Sequence, residues 1–202
     1  MSEHTASSVE LTGVCQRLAS HYTALAQKES IRGAVGYDRL SIERPQYLHL
    51  MKTCLQLGLL TEVCTLMRAI DTYLDRGGYW DERITALEMN LAAARQANDH
   101  KDIWWCLNTL GYIYERRGDL KKALDYYKQS LTEEASPYRI PETARVIWSI
   151  GHIYFEQDDF INAETYMENA VQLMEVIVHP ELEFYRQKLE QLRAARGLDG
   201  KA

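Results

Sequence analysis

The sequence predicts an all-α fold, an α-solenoid of antiparallel helix pairs. Three observations support this prediction. First, a pattern of apolar and small residues repeats without gaps every 40 residues, and a fixed period of about 20 to 50 residues is typical of stacked arrays. Second, apolar residues recur at helical spacing within each repeat. Third, glycine, aspartate and proline stand where helices should end or begin, and no segment predicts a strand.

The repeat is clearest when residues 107–131 are aligned with residues 147–171. The matching positions are Leu110-Gly111 with Ile150-Gly151, Tyr114 with Tyr154, and Ala123 with Ala163. A further segment, 67–91, aligns at the same offset with weaker identity. We therefore predict three repeats, over 61–100, 101–140 and 141–180.

The segment before the repeats is less regular. Residues 1–60 are predicted to form a degenerate N-terminal cap, because Leu40, Tyr47 and Met51 occupy apolar positions of the pattern while its small residues are missing. Terminal repeats are expected to be atypical, since one of their faces has no neighbour. The whole chain, 1–202, is assigned to one domain.

Eight to nine helices joined by short turns are predicted. The last is a capping helix over 181–196, and 197–202 form a frayed tail. Three prolines are predicted near helix starts, where a missing N–H is harmless: Pro45, Pro141 and Pro180. The predicted helices span 8–29, 44–57, 61–76, 80–97, 101–117, 120–134, 141–157, 160–178 and 181–195.

Glycines inside two predicted helices need a packing reason. Gly111 and Gly151 each cost about 1 kcal/mol relative to alanine in a helix interior. Close approach of the paired helix supplies the reason, and Ala123 and Ala163, twelve residues later in each repeat, are expected to lie opposite.

The dipeptide Gly118-Asp119 is predicted to join two helices. Glycine suits the left-handed position after a helix, and aspartate suits the N-cap of the next helix. Asp158-Asp159, at the equivalent position, is expected to do this less well.

The pattern resembles the tetratricopeptide repeat. In the middle repeat it reads Leu107, Leu110-Gly111, Tyr114, Gly118-Asp119, Ala123 and Tyr127. The resemblance covers residues 61–178 and implies a right-handed superhelix in which the first helix of each pair lines a concave binding surface. The sequence departs from the family at Asp71, Arg83 and Ser130, and the first two departures predict a looser first repeat.

The 40-residue period exceeds the usual family unit of about 34 residues. Longer helices or loops are therefore expected, such as the connection from Glu134 to Pro141. Repeats of this length resemble those of bacterial signalling and regulatory proteins and of animal adaptors, and the segment 74–82 most resembles the bacterial group.

The resemblance also implies a partner-binding surface at fixed offsets from the Leu-Gly pair. These offsets also include Ala69, Asp75 and Glu115. The predicted binding residues are Arg68, Thr72, Trp105, Asn108, Thr109, Tyr112, Arg145, Trp148, Ser149, His152 and Phe155.

Aromatic side chains are concentrated in this set, and such side chains dominate interface hot spots. We interpret the set as an aromatic groove. The alternative is that Trp105, Trp148 and Phe155 pack between helix pairs or under the terminal helix. The family's clamp for chaperone C-terminal carboxylates is not matched, because Thr109 stands where its asparagine would be, so a co-chaperone role is disfavoured.

Composition and the lack of long apolar runs disfavour several classes of protein. With 23 Lys+Arg against 29 Asp+Glu, the net charge of −6 disfavours nucleic acid as a partner. No apolar run is long enough to cross a bilayer and no signal peptide is present, so no membrane contact and a cytoplasmic location are expected.

Cofactor, metal and enzyme functions are also disfavoured. No phosphate loop or catalytic motif occurs, and no two of the six histidines stand three or four residues apart. The four cysteines, in apolar helical segments, are predicted to be buried and reduced. The sequence predicts no enzyme, no cofactor and no metal site.

The sequence therefore predicts a non-catalytic adaptor or scaffold that binds a protein or peptide. One alternative is a regulatory subunit that binds a small signal or peptide and controls a partner enzyme or transcription factor. A further alternative is a scaffold that oligomerises through its terminal helices, and the oligomeric state stays open.

Overall fold

The structure, a computed structural model, describes residues 2–133 and 140–199, with side chains over 9–133 and 140–194. Over these ranges it is helical and contains no strand, which confirms the all-α prediction. The helices are α1 (Ser2–Ser30), α2 (Ala34–Gln56), α3 (Leu60–Arg76), α4 (Trp80–Ala97), α5 (His100–Arg116), α6 (Leu120–Thr132), α7 (Ile140–Glu156), α8 (Phe160–Val176) and α9 (Leu182–Asp199).

The chain divides into two compact units, which we call unit 1 (1–106) and unit 2 (107–202), and the division falls inside α5. In unit 1, α3 shows why these segments form helices. Its buried side chains Val63, Met67, Ile70 and Leu74 recur every three or four residues and face the core. The single domain and the right-handed superhelix stay predictions.

Helix α2 corrects the N-terminal prediction. It begins at Ala34 rather than at 44, so Pro45 lies inside the helix and not near its start. Proline removes one backbone hydrogen bond there, but Leu40 and Tyr47 on either side are almost fully buried. Their packing holds both halves of the helix in place despite the proline.

The C-terminal boundary also differs from the prediction. α9 continues to Asp199, so the start of the predicted tail over 197–202 is helical. Residues 200–202 and almost all of the connection from Glu134 to Pro141 lie outside the described residues.

The described turns from the one between α2 and α3 onward share one geometry. Residues in the left-handed region recur at 20-residue intervals, with position 138 outside the described residues. In each turn the N–H of the left-handed residue donates to the carbonyl three residues back, and the next N–H donates to the carbonyl five residues back. The left-handed residues are Gly58 (φ 72°), Gly78 (φ 69°), Asn98 (φ 52°), Gly118 (φ 78°), Asp158 (φ 60°) and Val178 (φ 50°).

Aspartates after three of these turns, Asp99, Asp119 and Asp159, cap the following helices. The Asp119 carboxylate accepts from the Lys122 N–H at 3.2 Å, and the Asp159 carboxylate accepts from the Asn162 N–H at 3.2 Å. The expectation that Asp158-Asp159 does less well is therefore wrong for the cap. The expectation still applies to the left-handed position, because Asp158 adopts it without being glycine.

The close helix approach predicted at the internal glycines is confirmed in unit 2. A Cβ on Gly111 would stand 2.6 Å from the Tyr127 ring. A Cβ on Gly151 would stand 2.8 Å from Met167 and 3.0 Å from the Ala163 carbonyl oxygen. The neighbour of Gly111 is thus an aromatic ring rather than Ala123.

In the first repeat an ion pair lies at the position of this close helix contact. Asp71 and Arg83 occupy the positions of the glycine and the alanine, and Arg83 Nε lies 2.8 Å from Asp71 Oδ1 and Nη2 lies 3.1 Å from Oδ2. Arg83 Nη1 also pairs with Asp75. The Arg83 side chain is only 9% exposed. The two departures therefore form one bidentate ion pair between α3 and α4, and the looser packing of the first repeat stays a prediction.

Helix α9 packs on α8 in unit 2, as expected of the predicted capping helix. Leu189 and Leu192 are buried in a cluster with Met167 and Val171. Arg193 of α9 forms ion pairs with α8 beside this cluster. Its guanidinium lies 2.8 Å from Glu164 and also pairs with Glu168, both on α8, and it lies 2.9 Å from Glu190 on α9.

Candidate partner-binding surface

In unit 2, α5 and α7 lie side by side and present an exposed polar and aromatic face. Tyr112 on α5 is 44% exposed. One turn later, Glu115 Oε1 lies 3.9 Å from His152 Nδ1 on α7, and the same nitrogen lies 3.6 Å from Glu156 Oε1. We call this face the α5–α7 surface. Its predicted members are Asn108, Thr109, Tyr112, Glu115, Ser149 and His152.

A buried tyrosine orients the carboxylate of this surface. The Tyr127 hydroxyl donates to Glu115 Oε2 at 2.7 Å. Burial raises the pKa of Tyr127, and the negative charge and hydrogen bond of Glu115 raise it further, while a hydrogen bond with Ser149 opposes the rise. The phenol therefore stays protonated as a donor, and Glu115 Oε1 is left facing His152. Tyr127 was recognised in the sequence only as a repeat position.

The remaining predicted residues of unit 2 lie toward α9. Trp148 and Phe155 are half-buried against the cluster that contains Leu189 and Leu192. The Trp148 ring meets Tyr185 of α9 edge-to-face, with 4.7 Å between ring centroids. Arg145 Nη2 lies 3.4 Å from Glu181 Oε2, just before α9. Trp148 and Phe155 thus pack under the terminal helix, which is the alternative to a groove position that the sequence left open.

The predicted residues of unit 1 form a separate group. Arg68 and Thr72 are exposed on α3, and Trp105 is half-buried on α5. Arg68 pairs with Asp102, whose side chain is only 3% exposed. A surface arginine is therefore held in place by a buried carboxylate, which the sequence pattern did not indicate because the two residues are 34 positions apart.

The cysteines form no disulfide. Cys15, Cys54 and Cys106 are buried as predicted, whereas Cys64 is half-buried. Burial raises the pKa of Cys54 to about 11 and those of Cys64 and Cys106 to about 12. These three thiols are protonated at neutral pH and are weak nucleophiles. Within the described residues no group of three or more potential ligands is arranged to hold a metal ion.

Family models described as tetratricopeptide repeat match residues 62–132 and 144–174, which together make up just over half of the chain. The chain belongs to the tetratricopeptide-repeat family. Tetratricopeptide repeats indicate a protein-interaction adaptor or scaffold, and the family and its fold are typical of non-catalytic proteins. The bacterial type of 40-residue repeat stays a prediction.

Similar proteins agree with the tetratricopeptide assignment. The chain is 43% identical over 104 residues to a heat shock protein sti1 homolog of Schizosaccharomyces pombe, a match that covers 41% of this chain and 18% of that protein. It thus spans less than a fifth of that relative's length. A crystal structure of BtubC (BKLC) from P. vanneervenii has a TM-score of 0.53 at 17% identity, covering 95% of this chain and 90% of that one. That likeness shows the fold alone.

No helix in the described part of this tetratricopeptide-repeat chain is long and apolar enough to span a bilayer.

Proposed function

We propose that this chain is a non-catalytic adaptor that binds a peptide or helix of another protein on the α5–α7 surface. The observation that carries the proposal is the exposed ring of Tyr112 beside a carboxylate, Glu115, that a buried phenol holds in place. Aromatic side chains bury much area at small entropic cost, and an oriented carboxylate next to His152 adds directional acceptors and a donor.

Other predicted residues are proposed as further contacts. Arg68 is held by Asp102 and can offer its remaining N–H groups to a carboxylate or a carbonyl. Thr72 and Trp105 belong to the same unit. Arg145, Trp148 and Phe155 are proposed only as edge contacts, because α9 already takes much of their surface.

The test is selection of a displayed random-peptide library on the immobilised chain, followed by calorimetric titration of the enriched peptides. Tyr112→Ala and His152→Ala should each weaken binding by about tenfold or more. Phe184→Ala is the matched control, because it removes an exposed aromatic ring of unit 2 outside the surface. Equal affinity for all of the variants would place the binding site elsewhere.

The regulatory alternative uses the same surface for a small signal or short peptide. Thermal stabilisation by such a ligand, with no partner protein present, would favour this alternative over the adaptor. A cytoplasmic location is also proposed, supported by the four cysteines, none of which is paired in a disulfide.

A further inference from the structure

One face of α1 carries three large apolar side chains on successive turns. Leu11, Val14 and Leu18 are 47%, 37% and 42% exposed, and their spacing of three and four residues places them in one stripe. The adjoining stripe, with Cys15 and Ala19, is buried in unit 1. α1 is therefore apolar on two neighbouring faces, of which the core covers only one. An exposed apolar stripe of this kind, beside a buried one, is a candidate interaction surface.

The exposed stripe forms one wall of an open groove between α1 and α2. The groove has a volume of about 510 Å³. On the α2 side it is lined by Pro45, His49, Leu50 and Thr53, and Cys15 is also part of the lining. Apolar side chains dominate this lining, and a shallow channel between two helices can receive the side chains of a third helix.

We propose that this groove is the interface of a homodimer. In this dimer α1 of one copy packs antiparallel against α1 of a second copy, across a twofold axis near Val14. Such an axis places Val14 against its own copy. It also brings Leu11 to within one residue, about 1.5 Å along the helix, of Leu18 in the second copy. The stripe is thus self-complementary, as an isologous interface requires.

The charges beside the stripe favour a second copy in this orientation. Glu10 and Arg17 are exposed on the row next to the stripe, on the side away from the core. The Arg17 guanidinium folds back along the helix, with Nη1 3.6 Å from where a Cβ on Gly13 would stand. Within the described part of the chain, no ion pair involves Glu10 or Arg17.

Antiparallel pairing gives both charges a partner. With the axis near Val14, Glu10 of each copy comes beside Arg17 of the other, so two ion pairs of opposite charge form. Parallel pairing about a twofold axis would instead place the Glu10 and Arg17 rows of the two copies on opposite edges of the seam, where these ion pairs do not form. Opposite charges that flank an apolar helix seam select partner and orientation. The arrangement of one negative and one positive residue about Val14 therefore fits a second copy of the same helix.

Sedimentation equilibrium on the full chain over a dilution series tests the proposal. We expect association to twice the 23.4 kDa chain mass. Leu18→Ser should raise the dimer Kd by about thirtyfold or more. Ile42→Ser is the matched control, because Ile42 is 74% exposed on α2 but does not line the groove, and its Kd should not change.

Charge reversal tests the orientation. Arg17→Glu and Glu10→Arg should each raise the Kd by about tenfold, since each turns two attractions into repulsions. The double variant Glu10→Arg/Arg17→Glu should restore the wild-type Kd to within about twofold. Circular dichroism confirms that each variant is folded. A monomer at every concentration, a dimer insensitive to Leu18→Ser, or a double variant that stays as weak as the single ones would each overturn the proposal.

Discussion

Replacing Arg83 by alanine should destabilise unit 1 by about 3 kcal/mol. Breaking a buried ion pair by removing one partner typically costs about 3 to 5 kcal/mol, because the other charge stays buried without compensation. Asp71 is left in this state, with 19% of its side chain exposed, which sets the estimate at the lower end. Asp75 is 48% exposed and regains water, so its lost contact adds little.

The second change in the cycle is Asp71→Gly. Combined with Arg83→Ala, it places in the first repeat the residues that the other repeats have, and it removes the stranded carboxylate. The double variant should therefore be more stable than Arg83→Ala alone, with a coupling energy of about 2 kcal/mol.

Urea unfolding followed by tryptophan fluorescence measures these energies. Trp80, Trp104 and Trp105 belong to unit 1, and they are three of the four tryptophans in the chain, so the signal follows mainly this unit. Arg39→Ala, at an exposed arginine of α2, is the control and should lie within about 0.5 kcal/mol of wild type. A coupling energy below about 0.5 kcal/mol would show that the ion pair does not hold α3 and α4 together.

Three further predictions concern single positions. Gly111→Ala should lower the stability by about 1 to 3 kcal/mol, because the new methyl group meets the Tyr127 ring, although glycine to alanine normally stabilises a helix. Thermal melting measures the change, and a raised melting temperature would contradict the close approach. Val178→Gly should stabilise unit 2 by about 1 kcal/mol, since a β-branched residue is strained at a φ of 50°; a lower melting temperature would refute this strain. Folding raises the pKa of Cys106 from about 9 to about 12, so stability is expected to fall as pH rises from about 9 toward 12, where the unfolded thiol ionises first. This alkaline slope of urea unfolding should be smaller in Cys106→Ala, and an equal slope would count against the assignment.

Features that depend on neighbouring residues in the chain could be predicted from the sequence. The turn at Gly118-Asp119 and the close contact at Gly151 each follow from the special backbone or the missing side chain of one residue. The α-helical structure was also predictable, because the spacing of apolar residues within α3 indicates which face of the helix is buried.

Features that depend on two distant positions could not be read in this way. Asp71 and Arg83 each look like a mismatch to the repeat, and only together do they form a contact. Trp148 likewise belongs to the predicted binding surface by its offset, but α9 places Tyr185 against its ring. A repeat pattern compares each repeat with the other repeats. It carries no information about which helix covers the last repeat.

The left-handed turns at 20-residue intervals bear on how a chain of this kind can lengthen or shorten. A turn within a repeat, such as the one at Gly118, has the same backbone geometry and hydrogen bonds as a turn between repeats, such as the one at Asn98. These turns are therefore interchangeable. The smallest segment that a deletion can remove, or a duplication can copy, is one helix with its turn. The grouping of helices into pairs is encoded inside the helices, at contacts such as that of Gly151 with Met167.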